Sequence, residues 1–388
     1  MTSRLITPAR LRVWSAAAQH AFFGVVPVVF TVWMWHFAAS RHSLAIDFHN
    51  AFWPAGRHVL LGLTPYAGPH SSLAASGIAF VYPAVGALFF GVIALVPHGL
   101  ADVLFTLSSI AAVIATLILL RIRDWRLYGL ALLWPAVISG WQTANITLLL
   151  TCGVALAWRH RDRPAISGCI VAILVSLKVF LWPLLLWLLA TKRLAGFAWA
   201  MASGILVNVL AWAVLGFHQA EAYVALARAV SRVEESTAYT PIALALHLGA
   251  SRALAHTIGF GLAAGVALAC LYYGRRRRDA SALLLAIAVS LLATPTVWRH
   301  YFALLLVPVA IARPRVTAIW LLPLALFLCP VTTPLLWQLA LALGIFACVV
   351  LVLLRTPNLM PRTSNEQSLA FRRILARSTA RPLPASTS

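Results

Sequence analysis

The sequence predicts an all-α, polytopic helical membrane protein. Of its 388 residues, 62% are hydrophobic and only 10% are charged, and the mean hydropathy is +0.90. A soluble domain usually carries about 25% charged residues. Apolar runs long enough to cross a hydrocarbon core of about 30 Å recur almost from end to end. These observations exclude a soluble domain.

The apolar runs predict about 12–13 transmembrane segments. With both termini expected on the same side, thirteen spans would violate parity, so one segment within 79–120 is expected to be re-entrant or to lie along the surface. Two of the runs, 127–139 and 180–191, are short, which predicts helices that end inside the membrane profile and border a protein-lined cavity. The runs lie near 21–39, 79–97, 100–120, 127–139, 145–158, 165–178, 180–191, 195–216, 256–273, 280–294, 300–312, 316–330 and 334–354.

The distribution of basic residues predicts the orientation. A net charge of +21 would suggest nucleic acid in a soluble protein, but here the charges form short clusters between apolar runs, which is typical of cytoplasmic loops. We therefore expect no nucleic-acid partner. Two stretches lacking such clusters, near 41–77 and 217–255, are expected to be extracytoplasmic loops. Residues 1–355 are expected to form one transmembrane domain, and 356–388 a basic, disordered cytoplasmic tail.

No metal, disulfide or other cofactor is predicted. All five cysteines lie in apolar runs and have no CxxC spacing. Four histidines share the first outer loop, but none stands at a tight ligand spacing. These are His42, His49, His58 and His70.

Few acidic residues are candidates for a catalytic role, because several of the others stand beside arginines of the expected cytoplasmic loops. The expected outer loops hold Asp47, Glu221, Glu234 and Glu235. Asp47 follows the first span and leads into a predicted amphipathic helix over 51–63. It is either the N-cap of that helix or a general base whose pKa is tuned by partial desolvation.

Three further groups of polar residues stand at the expected breaks between helices. Gln142 and Asn145 have amides that suit sugar hydroxyls, or that could serve interhelical packing. Lys178 lies in an apolar stretch, where a lysine costs about 2.5–3.5 kcal/mol on insertion, so it either reaches the interface or pairs with a phosphate. Arg299 and His300 offer donors to a phosphate or carboxylate.

Several motifs resemble glycosyltransferase family 87, the polyprenyl-phosphate-mannose-dependent α-mannosyltransferases of the GT-C fold. The resemblance covers about residues 20–355. The motifs are Asp47 with Ala55-Gly56 and Gly62-Leu63-Thr64-Pro65-Tyr66, then Phe80-Val81-Tyr82-Pro83, a Gly-x-Gln-x-x-Asn-like turn (Gly140, Gln142, Asn145), Leu177-Lys178 and Trp298-Arg299-His300-Tyr301.

The resemblance implies an inverting transfer of a hexosyl, specifically mannosyl, group from a polyprenyl-phosphate sugar to an outer acceptor hydroxyl on a glycolipid or glycan. Asp47 would be the general base, and Tyr82, Gln142 and Asn145 would bind sugar or acceptor. The donor phosphate would be bound by Lys178, Arg299, His300 and Arg57. It also implies membrane lipid around the donor tail, and a location in the cell inner or plasma membrane with the active site on its extracytoplasmic face.

Two other functions remain open from the sequence. Broken helices around a midplane site also occur in transporters and flippases of lipid-linked sugars. The second open function is that of a non-catalytic partner in an envelope assembly complex. It stays open because a fold does not by itself imply a function.

Overall fold

The structure is a computed structural model that describes residues 17–356. Residues 1–16 and the expected tail beyond Thr356 lie outside the described residues. Within the described range every regular element is a helix, which confirms the predicted all-helical class. The α-helices are α1 (Val26–Ser40), α2 (Trp53–Leu60), α3 (Ser72–Ala75), α4 (Ala84–Ile93), α5 (His98–Leu119), α6 (Arg126–Leu132), α7 (Pro135–Gln142), α8 (Thr147–Arg159), α9 (Pro164–Leu177), α10 (Pro183–Ala190), α11 (Leu194–Leu215), α12 (Gln219–Glu234), α13 (Pro241–His247), α14 (Arg252–Arg275), α15 (Asp279–Leu292), α16 (Leu306–Ala312), α17 (Ala318–Leu321) and α18 (Leu336–Arg355).

Short helices of other types extend several of these elements. π-helical turns precede α1 and α2, at Ala21–Val25 and Phe48–Phe52. 3₁₀ helices lie at Val179–Leu181, Arg299–Leu305 and Leu322–Leu328.

Five helices within residues 17–356 are long and apolar enough to cross a membrane, which confirms a polytopic membrane protein. At 20–24 residues they are roughly 30–36 Å long, and most of their side chains face outward as membrane spans require. Seven shorter apolar helical stretches of 10–17 residues accompany them. The five are Ala17–Ser40, His98–Leu119, Leu194–Leu215, Arg252–Arg275 and Leu336–Arg355.

The segment expected to break parity contains one short helix and one long one. Ala84–Ile93 has only 10 residues, or about 15 Å, and cannot cross the core, whereas His98–Leu119 can. Helix α4 packs so closely on α2 that a Cβ at Gly56 would collide with the carbonyl oxygen of Phe90. The short helix is therefore tied to the first loop.

Three of the helix breaks expected from the sequence are present. Helix α7 ends at Gln142 and α8 begins at Thr147. Lys178 is extended between α9 and the following 3₁₀ turn (φ −149°, ψ 103°), and Trp298 is extended before Arg299 (φ −89°, ψ 160°). Non-helical backbone in an apolar helical protein exposes polar groups, so it is tolerated where protein or a water-filled cavity satisfies them. These breaks carry the site described next.

Candidate active site

The first loop is attached to the break between α7 and α8 by backbone hydrogen bonds. The Ala45 N–H donates to the carbonyl of Gln142 at 2.6 Å, and the Asp47 N–H donates to the carbonyl of Thr143 at 3.0 Å. The turn ends with Ala144 in a left-handed conformation (φ 50°). A loop that follows the first span is thereby held against a helix end from a distant part of the chain.

The Asp47 carboxylate accepts a hydrogen bond from Asn145. Asn145 Nδ2 donates to Asp47 Oδ2 at 2.8 Å, while Asn145 Oδ1 accepts from the Thr147 hydroxyl at 2.7 Å, which fixes the amide orientation. Burial raises the pKa of Asp47, and the Asn145 hydrogen bond and the Lys178 charge oppose that rise. Asp47 has helical dihedrals and makes no capping hydrogen bond, so the N-cap interpretation is wrong.

The Lys178 ammonium lies among aromatic rings. Its Nζ is 4.1 Å from the ring centroid of Tyr301, 5.1 Å from that of Tyr82 and 5.5 Å from that of Phe180. Lys178 also interacts electrostatically with Asp47 and Glu234, but within residues 17–356 neither carboxylate forms an ion pair with it. The cation is therefore stabilised by ring faces and keeps its hydrogen-bond donors available.

Tyr82 reaches this position because α4 packs against the end of α9. At Gly86 a Cβ would lie 2.8 Å from the Tyr82 Cβ and 3.6 Å from the Leu177 carbonyl oxygen. Tyr82 is 4% exposed and interacts with the Asn145 side chain. One aromatic side chain thus bridges the base and the lysine.

Glu234, which the sequence analysis did not select as a site residue, also belongs to this group. It ends helix α12, hydrogen-bonds with the side chain of Trp298, and interacts electrostatically with Asp47 and Lys178. Burial and the Asp47 charge raise the pKa of Glu234 to about 7. Its neighbour Glu235 is different, since Arg252 and His256 pair with it at 2.8 and 3.0 Å. One signal could have identified Glu234 as a site residue: it stands at the end of an amphipathic helix in an outer loop.

His300 lies near the lysine, and Arg299 precedes it in the chain. His300 is 4% exposed, its Nε2 has no hydrogen-bond partner among the described residues, and it lies in electrostatic range of Lys178. Arg299 donates from Nη1 to the carbonyl of Cys329 at 2.8 Å, whereas its buried Nε has no partner in the same range. Two buried nitrogens, His300 Nε2 and Arg299 Nε, thus remain without hydrogen-bond partners among the described residues.

Two other predicted residues take different places. Gln142 contributes its backbone carbonyl to the loop attachment, and its side chain is partly buried. Arg57 is exposed near the end of α2, and no described contact joins it to the group around Asp47. The structure therefore brings together Asp47, Tyr82, Asn145, Lys178 and His300, with Arg299 adjacent to His300.

Most of these residues lie within a segment that matches a protein family. The family model described as Glycosyltransferase family 87 matches residues 80–295, which is more than half of the chain. The chain belongs to glycosyltransferase family 87. This family 87 protein is accordingly a membrane glycosyltransferase that uses a sugar donor and an acceptor in a lipid environment.

The matched segment contains Tyr82, Asn145, Lys178 and Glu234, whereas Asp47 precedes it. No curated protein and no solved structure matches the chain.

Chemically, the group combines a carboxylate whose pKa is raised and an ammonium that forms no ion pair in the described part of the chain. The carboxylate can accept a proton, and the ammonium can stabilise developing negative charge. Because the two are not joined in an ion pair, both remain able to engage substrates.

Proposed function

We propose that this family 87 glycosyltransferase moves a hexosyl group, mannosyl by its family resemblance, from a polyprenyl-phosphate sugar to a hydroxyl of a glycolipid or glycan acceptor. The single observation that carries the proposal is that Asp47 and Lys178 are near enough to interact electrostatically yet remain separate. A site for transfer from a lipid phosphate needs both a base for the acceptor and a cation for the leaving phosphate.

In the proposed reaction the acceptor hydroxyl oxygen attacks the anomeric carbon of a β-linked donor. The new carbon–oxygen bond forms as the bond between that carbon and the phosphate oxygen breaks. Asp47 takes the hydroxyl proton, and the polyprenyl phosphate leaves with the electron pair. Attack from the opposite face inverts the configuration, so the product is α-linked.

Lys178 is proposed to stabilise the charge that grows on the phosphate. Its ammonium is held by three rings and forms no ion pair with a carboxylate within residues 17–356. The unsatisfied Nε2 of His300 and Nε of Arg299 are suited to further phosphate oxygens. Such preorganised donors cost no reorganisation when the charge develops.

Asn145 is proposed to position the base rather than to bind sugar. Its amide donates to Asp47, and its carbonyl oxygen accepts from Thr147. The sugar and acceptor contacts are assigned to Tyr82 and the Gln142 side chain, which are not committed to Asp47.

The active site is proposed to face the extracytoplasmic side of the cell membrane. The loops that carry Asp47 and Glu234 have no cytoplasmic-type arginine cluster, whereas the opposite ends of the neighbouring helices do, as at Arg159, Arg161 and Arg163. A polyprenyl tail would then lie between spans while its phosphate reaches the site from the bilayer.

The reaction can be tested with the purified protein in lipid nanodiscs. It is given radiolabelled polyprenyl-phosphate mannose, polyprenyl-phosphate glucose or GDP-mannose, together with extracted membrane glycolipids as acceptors. We expect transfer from a polyprenyl-phosphate sugar alone, with a product that α-specific glycosidase cleaves. Transfer from GDP-mannose in the absence of a lipid donor, or a β-linked product, would contradict the proposal.

The same samples discriminate the two other functions. A flippase would move labelled donor across proteoliposomes without cleaving the sugar–phosphate bond, and a non-catalytic partner would do neither. Release of free polyprenyl phosphate in step with product supports transfer, whereas movement of intact donor without release would support the flippase.

A further inference from the structure

Three side chains that can bind metal lie together beside the π-helical turn that follows Asp47. His49 belongs to that turn, and His98 and Asp102 belong to the first turns of α5. His49 Nδ1 is 2.7 Å from Asp102 Oδ2, and His98 Nε2 is 3.9 Å from Asp102 Oδ1. One ligand atom from each residue lies within 4.8 Å of the others.

The helix geometry explains why two of these ligands share a face. Residues four apart on an α-helix are neighbours, so His98 and Asp102 project toward the same point. The His98 ring is stacked between His49 at 4.0 Å and Trp53 at 4.1 Å between centroids. Trp53 is itself anchored through Nε1 to the carbonyl of Val96 at 3.0 Å. The imidazoles are therefore held close together before any ion binds. His98 Nε2 lies 3.1 Å from the carbonyl oxygen of His49, and a bound ion would replace that hydrogen bond.

Asp102 has one carboxylate oxygen that the neighbouring imidazoles do not hydrogen-bond. Its Oδ2 pairs with His49, whereas its Oδ1 is 3.9 Å from His98 Nε2. Its side chain is 15% exposed, and its Oδ1 is buried without a hydrogen-bond partner in the described part of the chain. A buried carboxylate oxygen without a partner costs about 1–3 kcal/mol or more. A cation between Asp102 and the two imidazoles would remove this cost.

We propose that His49, His98 and Asp102 bind one divalent transition-metal ion of the Zn²⁺ type. Two imidazoles and one carboxylate are a ligand set that zinc accepts, with a fourth position left to water. Ligand atoms around a tetrahedral zinc ion are roughly 3.3 Å apart, and one candidate ligand atom from each of the three residues lies within 4.8 Å of the others. Side-chain rotations would bring the longer separations to the zinc spacing.

The ion would clamp the turn that begins directly after Asp47 to the start of a long helix. It takes no part in the proposed transfer, and its existence does not depend on that reaction. The sequence predicted no metal because His98 and Asp102 lie 49 and 53 residues after His49, outside the first loop. Only the fold brings the three ligands together.

Cobalt binding tests the site directly. The full-length protein is purified with a tag that contains no histidine, stripped with EDTA, and titrated with Co²⁺ while visible absorption is recorded. We expect one saturable Co²⁺ per chain, which Zn²⁺ displaces, and a higher thermal midpoint with Zn²⁺ than with EDTA. His49→Ala and Asp102→Asn should each weaken Co²⁺ binding at least about tenfold.

Two controls separate metal binding from general damage. His70→Ala removes an exposed histidine of the same loop and should bind Co²⁺ like the wild type. His98→Gln preserves side-chain size and hydrogen bonding, so its loss of binding would not reflect misfolding. Absence of saturable Co²⁺ binding by the wild type, or equal binding by wild type, His49→Ala and His98→Gln, would overturn the proposal.

Discussion

Two charged regions of the molecule differ in whether their charges form ion pairs. Around Arg193, the Nη2 atom lies 2.6 Å from Asp279 and 3.1 Å from Asp162, and Nε donates to the carbonyl of Arg161 at 3.0 Å. Around Lys178, the nearest partners are ring faces, and no ion pair joins it to Asp47 in the described residues. One region neutralises its charges, and the other keeps them apart.

The difference indicates what each region is for. The Arg193 guanidinium ties helix ends together through carboxylate partners on neighbouring loops, although its buried Nη1 has no hydrogen-bond partner among the described residues. Separated charges in a buried setting are costly unless something else completes them. We interpret the Lys178 region as a site whose missing partner is the donor phosphate, consistent with the general pattern that perturbed acids cluster at functional sites.

The largest expected effect in testing this contrast comes from Lys178→Ala. Removing a preorganised donor to developing charge usually costs about 10²–10³-fold in rate, and we expect sugar transfer to fall by that amount, with weaker donor binding. Lys178→Arg should recover only part of the transfer rate, because a guanidinium is larger than the ammonium that the three rings surround. Donor titration measures the binding affinity, and initial rates measure sugar transfer. Wild-type donor affinity in Lys178→Ala would break the comparison.

A smaller loss is expected from Asn145→Ala. The hydrogen bond from Asn145 lowers the pKa of Asp47, so its removal should move the acid limb of the pH–rate profile to higher pH. We expect transfer at neutral pH to fall about tenfold, the equivalent of one charge-assisted hydrogen bond. An unshifted profile with an equal loss at every pH would show that Asn145 does not act through Asp47.

The pH profile also reports on Glu234. Its pKa of about 7 means that it is charged above pH 7 and neutral below. A charged Glu234 supports the Lys178 ammonium, so transfer should rise as pH increases through 7. Glu234→Gln should lack this inflection. At pH 8 it should transfer sugar about fivefold more slowly, because it loses about 1 kcal/mol of charge interaction with Lys178. Glu221→Gln, an exposed acid on the same helix, serves as the control. Persistence of the inflection in Glu234→Gln would refute its assignment.

The smallest effect on activity is expected in the neutralised region. Arg193→Ala leaves Asp279 and Asp162 without their shared cation, so the thermal midpoint should drop by an amount that reflects about 1–3 kcal/mol. Transfer by the remaining folded protein should stay within about twofold of wild type. A loss of transfer comparable to that of Lys178→Ala at matched folded protein would mean that the two regions do not differ in role.

Much of the architecture followed from patterns local in the sequence. Apolar runs predicted the helical membrane class, and the short runs predicted the breaks at Gly140–Asn145 and at Lys178. The loop helix expected over 51–63 is present as Phe48–Phe52 and Trp53–Leu60, and it ends before Gly62, whose φ is +70°. These features depend on hydropathy and backbone conformation, which each stretch of chain encodes by itself.

What could not be predicted depends on contacts between distant segments. Glu234 becomes part of the site only because Gly77 and Trp298 meet it, and a Cβ at Gly77 would collide with its carboxylate. Asp47 and Asn145, 98 positions apart, were both selected, but their hydrogen bond was not foreseen. Arg57 is exposed, and no described contact joins it to the group around Asp47, so its phosphate role stays a prediction.

The most direct test of the central claim compares donor binding with sugar transfer in Asp47→Asn. This substitution preserves shape and can still pair with Asn145, but it removes the base, which typically costs about 10²–10⁴-fold in rate. Asp162→Asn, which neutralises a largely exposed acid in the Arg193 region, is the matched control and should transfer normally. We predict that Asp47→Asn binds the polyprenyl-phosphate sugar with wild-type affinity and transfers almost none of it. Transfer by Asp47→Asn at the wild-type rate would contradict the account.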